Sequence, residues 1–347
     1  MIARTPLPCK RRPTIFFTAL AVAALTLAML MCGRPFCAKH VFYRMGTFVE
    51  VTVVMKQKDP SRESALWHRI DSLLENWEQR FSQIDARSEV LRVNERTTSR
   101  VAVSPDLAVM IDLAVQYGDT LSGGFDCTIF PIKLLWGFGE RDTALTVPDS
   151  RVLDSTLRHV SYKKVHLCPT RDSLIIDDPA TMIDAGGIAK GEALCRISRL
   201  LADAGFTSYL VNGGGDIVSK GVKPDGKPWF IGVQHPRDPE RLLAALPLDS
   251  GTVYTSGDYE RFYLRGDKRY HHIFNPKTGY SATGNQSVTI WDMDPREAKM
   301  FSTGLFCRPA REIVAFIQKR PRTHCIVVDS AGTVFVSNGW KSRIEWK

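Results

Sequence analysis

The stretch MIDAGGIAKGEALCRI, Met182 to Ile197, sets an acid, two adjacent glycines and a lysine at one junction. Thr181, Met182 and Ile183 read as the end of a strand. Ile188, Leu194, Ile197, Leu200 and Leu201 then recur at helical spacing until Gly205 supplies a C-terminal stop. Asp184 to Lys190 therefore form the turn and the first helical turn. Gly186 and Gly187 let a ligand approach the backbone closely, the unpaired N–H groups of a helix start favour anions, and Lys190 adds a mobile positive charge. The expected guest is a phosphate. No Gly-Lys-Ser/Thr follows at P-loop spacing and no GxGxxG is present, so from this stretch alone a tight structural turn and a ligand site both stay open.

Outward from this junction, Val49, Val51 and Val53 alternate with polar residues, so Phe42 to Met55 reads as a half-buried strand, with a bulge expected at Met45-Gly46-Thr47. Leu66, Ile70, Leu73, Trp77 and Phe81 share one helical stripe ending near Ser82. Ser104 and Pro105 open a second helix along Leu107, Ile111, Ala114 and Val115. Downstream of Asn212-Gly213-Gly214-Gly215-Asp216, a ligand loop or a plain hairpin, come short strands near Phe230, Ala244, Val253, Phe262 and Tyr270. Their short turns exclude a βαβ series. The expected fold class is α+β, with layered mixed, largely antiparallel sheets and packed helices.

The chain is long enough to bury a sizeable core as one large domain or two intimate ones. Its net charge of +9 suggests nucleic acid until it is located: Arg4, Lys10, Arg11, Arg12, Arg34 and Lys39 all lie in the first 40 residues, which hold no acid, and with those six set aside the charge falls to +3. No nucleic-acid partner is called for. Lys10 to Arg12 instead flank an uncharged run from Thr14 to Cys32, roughly 19 residues, about the length that spans a bilayer core. The positive-inside rule leaves residues 1–40 as a signal anchor or signal peptide and exports a domain of residues 41–347. An uncleaved anchor comes first, because Cys32 lacks small residues before it and Phe36-Cys37-Ala38 is a poor cleavage site; cleavage and lipidation are the alternatives. All three place the domain on the extracytoplasmic, periplasmic face of the inner membrane. The cysteines beyond residue 41 form no zinc pattern and read as scattered thiols.

Several motifs now fall in one order: RMGT (Arg44 to Thr47), FSQIDARSEVLRVN (Phe81 to Asn94), GFDCTIFPIKLLWGFG (Gly124 to Gly139), the glycine junction, LVNGGGDI (Leu210 to Ile217), TSGDYERF (Thr255 to Phe262) and HHIFNPKTG (His271 to Gly279). In that order and with those intervals the chain resembles the ApbE family, the FAD:protein FMN transferases, from Arg44 to about Pro309. The resemblance implies FAD as donor, transfer of FMN to a threonine of a subunit of a membrane redox complex, and loss of AMP. It implies a flavin site built from Met45, Ile84, Phe125, Asp126 and Thr128; from Asp184 and Lys190; from Gly214, Gly215 and Asp216; and from Ser256, Gly257, His271, His272 and Ile273. Of these, Asp184, Lys190, Ser256 and His272, together with Asp258, are implied to carry the catalysis. His271 and His272 are not a metal pair, because neighbours on a strand face opposite ways.

One departure carries a consequence. The family's Mg²⁺ is held by an aspartate and a threonine four residues apart on a helix, together with backbone near the glycine turn, here Gly187. Asp294-Pro295-Arg296-Glu297 opens that helix, and alignment on Ser302 to Phe306 gives Thr303 as the threonine and Lys299 in place of the aspartate. Glu297 points about 120° away from Thr303 on helical geometry and does not substitute. An ammonium deletes a metal anchor and repels the ion, yet it can touch a diphosphate directly. Two further readings follow: a flavin-binding protein with weak or no transferase activity, and a binding module for another ligand whose glycine loops are only turns.

Overall fold

The computed structural model describes residues 35–139 and 145–347. Residues 14–32, the expected membrane segment, lie outside them; among the described residues no helix is long and apolar enough to cross a membrane.

The centre is an eight-stranded antiparallel sheet in the order Phe36–Arg44, Thr47–Met55, Tyr209–Gly213, Asp216–Lys220, Ser250–Gly257, Asn285–Asp292, His324–Asp329, Val334–Val336. Strand alternation sorts its side chains into two layers. Val49, Val51, Val53, Val211, Tyr254, Val288 and Ile290 face the helices Pro60–Phe81, Gly186–Asp203, Pro295–Gly304 and Ala310–Gln318. Ile217, Val253 and Ile326 face a second sheet formed by Trp229–His235, Asp238–Leu248 and Glu345–Trp346. The α+β layered architecture follows from that division. The Phe36–Arg44 strand straddles the domain boundary expected at residue 41.

Two local expectations change. Met45-Gly46 is not a bulge in one strand but a full reversal: Arg44 pairs with Thr47, with Met45 at φ 56° and Gly46 at φ 67°. Two successive residues with positive φ give the turn whose twist matches paired strands, and glycine carries the second at no steric cost. Met182 makes only one bridge, to Ile129, in place of a strand end. The glycine run forms a hairpin, Gly213 pairing with Asp216 while Gly214 and Gly215 turn at φ 64° and 94°.

Other local signals match their elements. Ser104 Oγ accepts from the Leu107 N–H at the start of Pro105–Thr120, and Asp294 caps Pro295–Gly304 through the Arg296 N–H at 2.8 Å. Trp136, fully buried, plugs a satellite core with Phe274 and donates from Nε1 to the Gly279 carbonyl at 2.9 Å.

Candidate active site

A cavity of about 380 Å³ opens where the glycine junction, the glycine hairpin, the end of the Ser250–Gly257 strand and the Pro295–Gly304 helix meet. The glycine junction is fixed from behind. Asn94 holds both backbone groups of Ile183, accepting from its N–H at 2.6 Å and donating to its carbonyl at 2.9 Å. The Asp184 N–H donates to the Cys127 carbonyl at 2.6 Å. Asp184 then caps the turn in front: Oδ1 accepts from the Gly186 N–H at 2.9 Å and from Gln83 Nε2 at 3.1 Å, and Oδ2 pairs with Lys133 Nζ at 2.8 Å.

Across the cavity Asp216, at the base of the glycine hairpin, pairs with Lys299 Nζ at 2.8 Å. Lys299 reaches it because the two helices cross closely: a Cβ on Gly191 would lie 3.3 Å from Lys299 Cβ, so only glycine leaves its neighbour undisturbed there. The ammonium also sits 5.6 Å over the ring of the buried Tyr254. Burial pushes the Asp216 carboxyl up, against the opposing pull of Lys299. Burial, and then the charge of Lys299, pushes the Lys190 ammonium down.

Of the residues expected at the site, Phe125, Asp126, Asp184, Gly187, Lys190, Gly214, Asp216, Ser256, Gly257, His272, Ile273, Lys299 and Thr303 line this one cavity. Ser256 Oγ lies 3.2 Å from Thr303 Oγ1. His272 is held neutral, first by burial and then by Arg261 and Lys133, which push its pKa well below the ordinary value. Asp126 shows its edge to the cavity, but its oxygens accept from Thr128 N–H at 2.8 Å, Thr128 Oγ1 and Tyr162 N–H at 2.9 Å, so it braces a loop.

The remaining expected residues do not line it. Met45, beside Gly46, donates its N–H to Glu78 Oε1 at 2.8 Å, and Gly215 is exposed in its turn. Thr128 is fully buried against Asp126. Ile84 is 52% exposed, on a loop whose N–H groups are taken up by Ser82 Oγ. Asp258 lies at the end of its strand in a two-point pair with Arg237, both contacts 2.7 Å. His271 turns into the core against Phe306, with Nε2 2.8 Å from the Ala282 carbonyl oxygen. His271 closes the Lys268–His271 strand facing the core, whereas His272, just past the strand's end, lines the cavity.

Lys133, Arg261 and Glu260 line the cavity and were not singled out from sequence. Lys133 had a signal, being the one charged residue in the apolar run Phe-Pro-Ile-Lys-Leu-Leu. Arg261 and Glu260 lie inside the Thr255 to Phe262 stretch, with nothing local to mark them as cavity residues.

The donor set does not fit Mg²⁺. That ion takes six oxygens at about 2.0–2.1 Å and is commonly anchored by one or two carboxylates. Asp184 and Asp216 are each already paired with a lysine at 2.8 Å, Thr303 Oγ1 is turned to Ser256, and an ammonium stands where the helix would supply a carboxylate. Among the described residues no three of His, Cys, Asp and Glu converge on a common point.

Residues 45–327 match the ApbE family model. Among similar proteins are FAD:protein FMN transferases of Escherichia coli K12, 28% identical over 86% of this chain and 90% of that protein, and of Vibrio cholerae, 30% identical over 82% and 86%. Among solved structures, the ApbE protein of Thermotoga maritima superposes with a TM-score of 0.82 at 30% identity, covering 88% of this chain and 99% of that one. The flavin transferase ApbE of V. cholerae gives 0.79 at 26% identity, covering 89% and 99%. With the family model spanning most of its length, the chain belongs to the ApbE family.

Proposed function

We propose that this protein is an FAD:protein FMN transferase, with FAD as donor and a threonine hydroxyl of a protein as acceptor. The observation that carries the reading is the convergence of Lys133, Lys190, Arg261 and Lys299 on a cavity walled by a glycine turn at a helix start, a surface suited to a dinucleotide diphosphate. Relatives carrying that activity by name support it. In the transfer, the acceptor oxygen forms a bond to the FMN phosphorus, the pyrophosphate P–O bond breaks, and AMP leaves with the bonding electron pair. The cationic lining stabilises charge on the phosphoryl oxygens, and His272, neutral and facing the cavity, is placed to take the hydroxyl proton. No step is assigned to Mg²⁺, for which the donor set is unsuited.

The acceptor is a subunit of a membrane redox complex, and the domain works on the extracytoplasmic face of the inner membrane, tethered through its N-terminal segment. The uncharged run from Thr14 to Cys32 behind three basic residues supports that placement. The test is incubation of the full chain with FAD and a threonine-containing acceptor peptide. AMP release together with a peptide mass gain of one FMN is expected; FAD binding without either product would leave a flavin-binding protein in its place.

A further inference from the structure

We infer that the Lys299 ammonium takes the place of a divalent cation in this cavity, so that a dinucleotide diphosphate binds without metal. The inference rests on the flavin reading above.

Charge supports it first. The carboxylates lining the cavity are Asp126, Asp184, Asp216 and Glu260, matched in number by Lys133, Lys190, Arg261 and Lys299. An aspartate at position 299 would shift that balance by two negative charges, the deficit that one divalent ion makes good. A lysine therefore leaves the cavity with the same net charge as an aspartate plus Mg²⁺.

Geometry supports it second. The Lys299–Asp216 pair is largely buried, with side chains 14% and 7% exposed, and the close crossing at Gly191 fixes the lysine stem. An ammonium has three donors. One goes to Asp216 at 2.8 Å, leaving donors for phosphate oxygens beside Lys190. The Lys299 charge disfavours the charge on Lys190 in the same cavity, a cost that an entering diphosphate relieves. Thr303, one helical turn on, has its hydroxyl on Ser256 at 3.2 Å and needs no metal to satisfy it.

The test is a fluorescence titration of FAD onto the full chain, in EDTA and in Mg²⁺, with Mn²⁺ binding followed by electron paramagnetic resonance and folding checked by thermal melting. The wild type is expected to bind FAD equally under both conditions, within about twofold, and to hold no Mn²⁺. Lys299→Asp is expected to lose affinity by about tenfold or more in EDTA, to regain it in Mg²⁺ and to bind Mn²⁺. Should that variant not fold, Lys299→Met, which deletes the charge without offering a ligand, is expected to weaken FAD by about tenfold with no rescue by Mg²⁺. Wild-type affinity that Mg²⁺ raises about tenfold or more, bound Mn²⁺ in the wild type, or a Lys299→Asp variant indifferent to metal overturns the inference and leaves the flavin function standing. A wild type that binds FAD under neither condition removes the function, and the inference with it.

Discussion

Asp184 and Asp216 face one another across the cavity, equally buried, at 6% and 5% exposure, and each sits 2.8 Å from a lysine. They are nonetheless different kinds of residue. Asp184 is held by three donors from three elements: Lys133, Gln83 and the Gly186 N–H. Asp216 is held by fewer donors, Lys299 and a backbone hydrogen bond from Thr255, and burial pushes its carboxyl up in spite of them. A charged group whose lone pairs are consumed by its own fold positions the backbone. One whose side-chain partner is a single lysine head can exchange that partner for a ligand. The glycine junction is thus the fixed wall of the site, and the hairpin with the lysine helix is the wall whose contacts can be traded.

The largest effect should come from Asp184→Ala, which strands a buried ammonium and frees the glycine turn. A loss of about 3 kcal/mol is expected from urea denaturation, in line with breaking a buried pair from one side. Asp216→Ala should cost about half as much, because fewer donors lose their partner there and because burial already counted against the carboxylate. Equal losses, or a larger one at Asp216, would dissolve the distinction between the two walls.

Asp258 extends the contrast. Bound at two points by Arg237 and 10% exposed at its side chain, it belongs with Asp184 by this criterion, although the family resemblance implies a catalytic role. Arg237→Ala and Asp258→Asn should then cost similar stability, about 2 kcal/mol each, and leave FAD affinity within about twofold. A transfer rate abolished by Asp258→Asn but untouched by Arg237→Ala would restore the catalytic role.

What the sequence showed and what it hid divide along the same line. Signals written within a few residues were legible: the Ser104 and Asp294 caps, the stripe through Ile70 and Trp77, the glycine junction, and the opposite faces of His271 and His272. Pairings set by tertiary contact were not. Lys133 and Asp184 are 51 residues apart, and Asp216 and Lys299 are 83 apart. No local pattern says which lysine meets which aspartate, so the absence of a carboxylate at position 299 could be read while its partner could not. Ile84 and Met45 were placed by resemblance alone, which gives a position along the chain but not which way a loop turns.

The smallest effect sharpens the same test with protons instead of substitutions. His271 has both ring nitrogens engaged: Nε2–H donates to the Ala282 carbonyl at 2.8 Å, and Nδ1 accepts from the Ile273 N–H at 3.3 Å. Only the neutral ring can do both. Burial pushes its pKa down, Arg269 and Arg237 add to that, and the Ala282 carbonyl and Asp258 oppose it. In the unfolded chain the imidazole titrates near the ordinary value of about 6.5. Between that value and the lower one in the fold, the unfolded state binds a proton that the folded state refuses, so stability must fall as the pH is lowered through this window. His272 and His324 are shifted the same way and add to the slope. Urea midpoints are therefore expected to drop from pH 7.5 toward pH 5 in the wild type, at about the scale set by imidazoles titrating near 6.5. His271→Gln, whose amide can still donate to Ala282, should flatten part of that slope whatever its stability at pH 7.5. A slope unchanged by His271→Gln would mean that the inward ring tolerates the proton, and that a histidine with both nitrogens engaged is no more committed to the fold than its cavity-facing neighbour.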